Sequence, residues 1–191
     1  LQSFFGRLNY NFKDKYLLTA TMRADGSTKF GANNKYGYFP SASAAWRLDE
    51  ENIFKQLQVF SNLKLRAGWG ITGNQEIPNK ISQILLGSSG GAILDGSSKN
   101  VVQGITLTRT PNPDIKWEKT SQVNVGLDFG VLNGRINGTI DYFDKQTKDV
   151  LLEVFSIAPA PTTKVWTNVP DMNIRNRGLE LSLNGLIIEK E

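Results

Sequence analysis

The chain has 191 residues, 39% of them hydrophobic, with 22 basic and 18 acidic side chains for a net charge of +4, and it contains neither cysteine nor histidine. Without cysteine there are no disulfides, thiolate zinc sites or thiol nucleophiles; without histidine the commonest metal ligand and general base is missing, so most hydrolytic enzyme designs are hard to build. The basic residues are scattered, which argues against a nucleic-acid partner, and no run of about 18 apolar residues provides a membrane helix, although a barrel strand needs only about ten residues with every second one apolar.

In chain order, alternation begins at Phe4, Gly6, Leu8, Tyr10 and Phe12, set against Arg7, Asn9 and Asn11, which predicts a strand with one apolar and one polar face. A polar turn over 13–16 leads to a second strand, Leu18, Ala20 and Met22 against Thr19, Thr21 and Arg23, paired to the first as a hairpin. Asp25 to Gly37 reads as a loop and Tyr38 to Leu48 as a third strand, with Pro40 tolerable near its start. Asp49, Glu50 and Glu51 ahead of Ile53, Phe54 and Leu57 predict one short helix. A fourth strand covers Leu63 to Trp69. Thr72 to Lys116 reads as the longest irregular region, with a short strand at Val101 to Leu107; so long a connection is usually functional or flexible.

From Trp117 the pattern sharpens. Val123, Val125, Leu127 and Phe129 form a fifth strand and Ile136, Ile140 and Tyr142 a sixth, joined by a tight turn at Asn133-Gly134. A proline-containing excursion, Ser156 to Arg177, precedes a last strand bearing Leu179, Leu181 and Leu183. Both termini enter or leave alternating runs, so they read as cuts within a larger sheet.

Short and long connections alternate along this series, which places all short ones at one end of an antiparallel sheet and all long ones at the other, as in outer-membrane barrels. The polar faces carry Arg23, Arg66, Asp128, Asp141 and Glu180, charges of both signs that suit a wet interior. Tyr10, Phe12, Trp46, Trp69, Trp117, Phe129 and Tyr142 fall near strand ends, where interfacial aromatic girdles sit. The fold class expected is therefore all-β: an antiparallel transmembrane β-barrel segment, with residues 1–191 forming part of a barrel domain.

Several chemical motifs are weaker. Gly68-Trp-Gly-Ile-Thr-Gly73 follows a strand but no helix comes next, so it reads as a strand end opening into a loop and not as a dinucleotide site. Asp25-Gly26-Ser27 and Asp95-Gly96-Ser97 lack the spaced acids of a calcium loop and read as turns. Asp128, Asp141 and Glu180 have the right chemistry for glycoside hydrolysis, but nothing sets two of them at the required separation. No cofactor, metal or catalytic residue is expected. Phe30, Tyr36, Phe155 and Trp166 lie in or beside long connections, and Tyr36 and Trp166 are the candidate ligand-binding residues, since aromatic rings stack on sugar faces.

Leu17-Leu-Thr-Ala-Thr-Met-Arg-Ala-Asp-Gly-Ser27, Tyr36-Gly-Tyr-Phe-Pro-Ser-Ala-Ser-Ala-Ala-Trp-Arg-Leu48 and Leu63-Lys-Leu-Arg-Ala-Gly-Trp-Gly-Ile-Thr-Gly-Asn-Gln75 resemble the barrel of SusC/RagA-type TonB-dependent outer-membrane transporters. So do Pro113-Asp-Ile-Lys-Trp-Glu-Lys-Thr120, Gly134-Arg-Ile-Asn-Gly-Thr-Ile-Asp-Tyr-Phe143 and Asn176-Arg-Gly-Leu-Glu-Leu181, in the same order, with the long loops least alike. The resemblance implies a barrel of about 22 strands with an N-terminal plug, in a Gram-negative outer membrane of the Bacteroidetes type. It also implies energy supplied by the TonB complex, a SusD-like lipoprotein as lid, outer-membrane lipid around the wall, and an oligosaccharide or peptide as substrate. The competing readings are a soluble secreted β-sandwich acting as an adhesin or glycan-binding module, in which the apolar face forms a core, and a glycosidase.

Overall fold

A computed structural model describes residues 1–57, 59–93 and 101–186. Its strands are β1 (Gln2–Phe12), β2 (Tyr16–Gly26), β3 (Tyr36–Arg47), β4 (Phe60–Asn74), β5 (Leu85–Ile93), β6 (Val101–Arg109), β7 (Glu118–Val131), β8 (Ile136–Lys148), β9 (Leu151–Phe155), β10 (Lys164–Asn168) and β11 (Ile174–Gly185). The expected short helix is present as a 3-10 turn over Leu48–Glu50 followed by α1 (Asn52–Leu57).

One antiparallel meander runs β1-β2-β3-β4-β7-β8-β11, and the hairpins β5-β6 and β9-β10 are inserted in its long connections. Connections 13–15, 48–59 and 132–135 lie at one end and 27–35, 75–117 and 149–173 at the other. Asn133 and Gly134 hold φ of 55° and 83°, the left-handed pair that matches strand twist. The first turn achieves the same without glycine, with φ of 55° and 54° at Lys13 and Asp14. Asn11 steadies it, accepting from the Asp14 backbone N–H at 3.1 Å and donating to the Asp14 carboxylate at 2.6 Å.

The register aligns Phe12, Tyr16, Trp46, Leu65, Leu127, Ile140 and Leu181 in one row across all seven strands. One residue further along each strand, on the opposite face, stand Asn11, Leu17, Ala45, Arg66, Gly126, Asp141 and Glu180. On the apolar face the band is diagonal. Its upper edge stands at Phe4 on β1, four rows of two residues above the reference row, and at Leu179 on β11, one row above it. Its lower edge shifts the same way, from Phe12 to Leu183. At a rise of about 3.3 Å per residue and about 4.8 Å between strands, the upper edge inclines by roughly 35° to the rows and the lower edge by roughly 13°, in one sense, as a tilted barrel wall requires. Most of it is uncovered by the described chain: Leu8, Leu179 and Leu181 are 70%, 70% and 71% exposed, and Leu63 at the lower edge is buried. A soluble sandwich would bury these residues between two sheets.

The packed core lies instead at the end with the long connections. Phe30, Phe39, Ile81, Ile115, Trp117 and Leu151 are buried together, with Ile71, Ile77 and Trp166 packed against them. Five expectations change accordingly. Trp117, read as a girdle residue, is 2% exposed within this cluster, enclosed by Phe30 and Phe39. The region 72–116 is not largely irregular: β4 continues to Asn74 and β5 pairs with β6. Gly68 to Gly73 lies wholly within β4, and the excursion after β8 contains the β9-β10 hairpin. Asp25 and Gly26 close β2 as ladder residues, not as a turn; Asp95-Gly96-Ser97 lies outside the described residues. Pro40 is the point where β3 parts from β4, since their pairing begins at Ser41 and Pro40 has no N–H to donate.

Candidate functional site

The polar face is organised around Arg66. Its Nη2 donates to Asp128 at 2.7 Å and to Asp141 at 3.0 Å, and its Nε to Asp128 at 3.0 Å; Lys64 adds an ion pair to Asp128 at 2.9 Å. Gly126, the register partner of both Arg66 and Asp141, leaves the room for this, because a Cβ there would stand 2.1 Å from the Asp141 oxygen. Two carboxylates thus share one guanidinium across β4, β7 and β8. Beside them a 460 Å³ groove is lined by Thr19, Ser41, Ser43, Arg66, Gln122 and Asn124. Such hydroxyls, amides and paired charges make a water-bearing wall.

At the short-connection end the outward aromatics form a ladder: Tyr10, Phe12, Tyr16 and Trp46 follow one another at ring separations of 6.3, 6.4 and 6.0 Å. Glu51, on the connection below, accepts from Lys15 at 3.1 Å, Tyr16 at 3.2 Å and Trp46 at 3.3 Å. The rings thus present apolar bodies along the sheet and polar tips at its rim, as residues at a membrane–water boundary do. The Lys15 ammonium first, then the Trp46 N–H, hold the Glu51 carboxyl below the ordinary glutamate value of 4.5. The contribution of Glu51 to stability is therefore complete above that value and lost as pH falls through the lowered one. Acid titration of tryptophan fluorescence is expected to show a transition that weakens in Glu51→Gln.

At the other end the three long connections lock together. The Gly31 N–H donates to the Ile115 carbonyl at 3.0 Å, Asn33 and Asn34 donate to Asp114 at 2.9 and 3.1 Å, and Lys29 donates to the Gln75 and Ile77 carbonyls at 3.2 and 3.0 Å. Asn168 of β10 accepts from the Lys116 N–H at 2.9 Å and donates to the Lys116 and Asp149 carbonyls at 2.9 and 2.8 Å. One side chain of the third connection thereby serves as a strand partner for Lys116 of the second. Phe30 stacks on Trp117 at 4.2 Å, and Phe39 meets the same indole edge-on at 5.3 Å. A Cβ at Gly31 would lie 1.7 Å from the Pro113 carbonyl oxygen. Gly31→Val is expected to separate these connections and expose Phe30, seen as faster cleavage within 27–35 by added protease.

The sequence-level candidates are dispersed. Tyr36 is 50% exposed at the outer edge of β3, its hydroxyl donating to Gln2 at 3.1 Å. Trp166 is partly buried against the loop-end cluster, opposite Glu153. Phe30 is 2% exposed and closed off by Trp117, while Phe155 is 80% exposed with the Lys164 ammonium 5.5 Å above its ring. Asp25 is buried and bound by Arg23 and the Ser3 hydroxyl. Among the described residues no cluster of three metal-ligating side chains occurs. Sequence reasoning missed Gly31, Asp114 and Asn168, whose roles rest on contacts across 80, 81 or 52 residues; the Pro111-Asn-Pro113-Asp114 string was the nearest local signal.

The family described as TonB dependent receptor-like, beta-barrel, matches residues 1–186. The TonB-dependent receptor SusC of Bacteroides thetaiotaomicron is 40% identical over 185 residues, 96% of this chain and 18% of that protein. The TonB-dependent receptor P26 of Formosa agariphila shows the same identity and coverage. The RagAB peptide importer in its closed-closed state superposes with a TM-score of 0.86 at 31% identity, over 99% of this chain and 20% of that one. The siderophore receptor PirA from Acinetobacter baumannii, at 18% identity and a TM-score of 0.60, shares the fold. The chain thus spans about a fifth of the length of these relatives.

Proposed function

Because the chain belongs to the TonB-dependent receptor-like β-barrel family, we propose that it is a section of the wall of an outer-membrane transporter that imports oligosaccharides or peptides. The observation that carries this is the diagonal apolar band, mostly uncovered on one face and backed by the Arg66 charge network on the other. A lipid-facing band and a wet lumen on alternate residues are what a membrane barrel requires. The longer protein supplies the remaining strands, the plug and the segment that meets the TonB complex, and a SusD-like lipoprotein covers the loop end. SusC among the relatives and a peptide importer among the matching structures support a substrate of oligosaccharide or peptide class.

In this reading the interlocked connections form a preshaped outer rim, with Tyr36 and Trp166 as the aromatic contacts for substrate. The parent protein, expressed with its native signal, is expected in the outer membrane and to be released only by detergent. Recovery as a soluble protein would overturn the proposal. Uptake of labelled oligosaccharides or peptides, lost on deleting the parent gene, identifies the cargo.

A further inference from the structure

The outer face carries charge where its apolar band stops. At the loop end of β7, β8 and β11, alternation places Lys119, Lys148, Arg175 and Arg177 on the face of Val123, Tyr142 and Leu179. All four cations are exposed. Asp144 is the one acid on this part of the face, and Arg175 takes it, Nε to Oδ1 at 2.9 Å. Arg177 stands directly across the strand pair from Asp144, level with Val123, and shares that carboxylate's field. Among the described residues, no carboxylate lies within ion-pair distance of Lys119 or Lys148.

Lys119 and Lys148 are direct register partners. Like charges opposite each other destabilise a strand pair, and an anion set between them would reverse that sign. Directly below, the apolar face opens into a 740 Å³ groove lined by Leu8, Tyr10, Leu18, Trp69, Val123 and Val125. Val123 stands four residues from Lys119 along β7, about 13 Å at strand rise. Cations at the headgroup level above an apolar groove complement a molecule that joins a phosphate to a hydrocarbon chain. A zwitterionic headgroup, which brings as much positive charge as negative, gains far less.

We propose that this corner of the wall binds a phosphate-bearing lipid of the outer leaflet, its phosphate held by Lys119 and Lys148 and an acyl chain lying in the groove. This rests on the outer-membrane reading above, which the fractionation experiment tests separately. The present test uses the intact parent transporter, purified in a non-ionic detergent, with dioleoyl phosphatidic acid and dioleoyl phosphatidylcholine added in equal amounts and retained lipid counted by native mass spectrometry.

Phosphatidic acid is expected to be retained over phosphatidylcholine by roughly tenfold, as a few cations at a surface allow. The preference should fall to near parity in Lys119→Gln/Lys148→Gln and persist in Lys145→Gln, on the opposite face of β8. Single substitutions, each lowering the ratio, serve if the double variant does not assemble. Equal retention of the two lipids by the unmodified protein, or an undiminished preference in the assembled variants, overturns the proposal. So does full displacement of the lipid by inorganic phosphate, which would mark a site for free anions. A protein that proves soluble without detergent would instead overturn the outer-membrane reading.

Discussion

Trp117→Ala is expected to cost about 3–5 kcal/mol, the usual loss when a buried tryptophan is truncated, and to spend nearly all of it at the loop end. The indole meets both Phe30 and Phe39, and its N–H reaches the Lys35 carbonyl at 3.4 Å. Its removal leaves a void among groups drawn from all three long connections, too large for Ile81 and Ile115 to close. The wall strands do not depend on it, since their ladders run from Glu118 toward the short-connection end. Limited proteolysis of the parent in outer-membrane fragments should therefore show rapid cleavage in 75–117 and 149–173, while the barrel keeps its heat-modifiable migration. Loss of barrel assembly would mean that the loop cluster nucleates the wall, and unchanged proteolysis would mean that the cluster does not hold the connections.

The second large effect is an asymmetry between near neighbours on β7. Leu127 sits mid-band on the outer face and Asn124 lines the polar groove. An arginine at the centre of a lipid-facing band costs about 2–4 kcal/mol, whereas a lumen substitution mainly tunes selectivity. Leu127→Arg should lower the stability of the refolded parent in lipid vesicles by that amount, measured by urea titration. Asn124→Arg should leave it within about 0.5 kcal/mol, the usual range for a surface change. Equal losses at the two positions would sink the face assignment, and a larger loss at Asn124 would invert it.

The wall strands were legible because each of them separates two solvents. Lipid on one side and water on the other impose alternation as regular as Val123, Val125 and Leu127 against Asn124, Gly126 and Asp128, and period two survives in the sequence. The Asn133-Gly134 turn was legible for an equally local reason. The hairpins β5-β6 and β9-β10 were not: Gly87, Ser88 and Gly90 fill β5 with residues of low strand preference, and the pairing partner supplies the order.

Trp117 shows a different limit. Nearness to a strand end was correctly inferred, but position along a chain does not show what packs over a ring, and residues of the long connections enclose this one. The Asn168 contacts, and the approach of Gly31 to Pro113, depend on segments far apart in the sequence and leave no periodic trace. Tyr36 and Trp166 were expected from residue type and nearness to the long connections; their placement on the outer edge of β3 and against the loop-end cluster came from the fold.

The slant of the apolar band bears on how such proteins diversify. Each strand offsets its membrane-embedded stretch by up to about one residue from its neighbour, and carried around a closed barrel this stagger is its shear. A loop at the open end can lengthen or be replaced without touching that progression. A hairpin exchanged between relatives cannot, for it must arrive already in step with the strands on both sides. Variation should thus collect in the rim, while the wall evolves in whole two-strand units that preserve the offset.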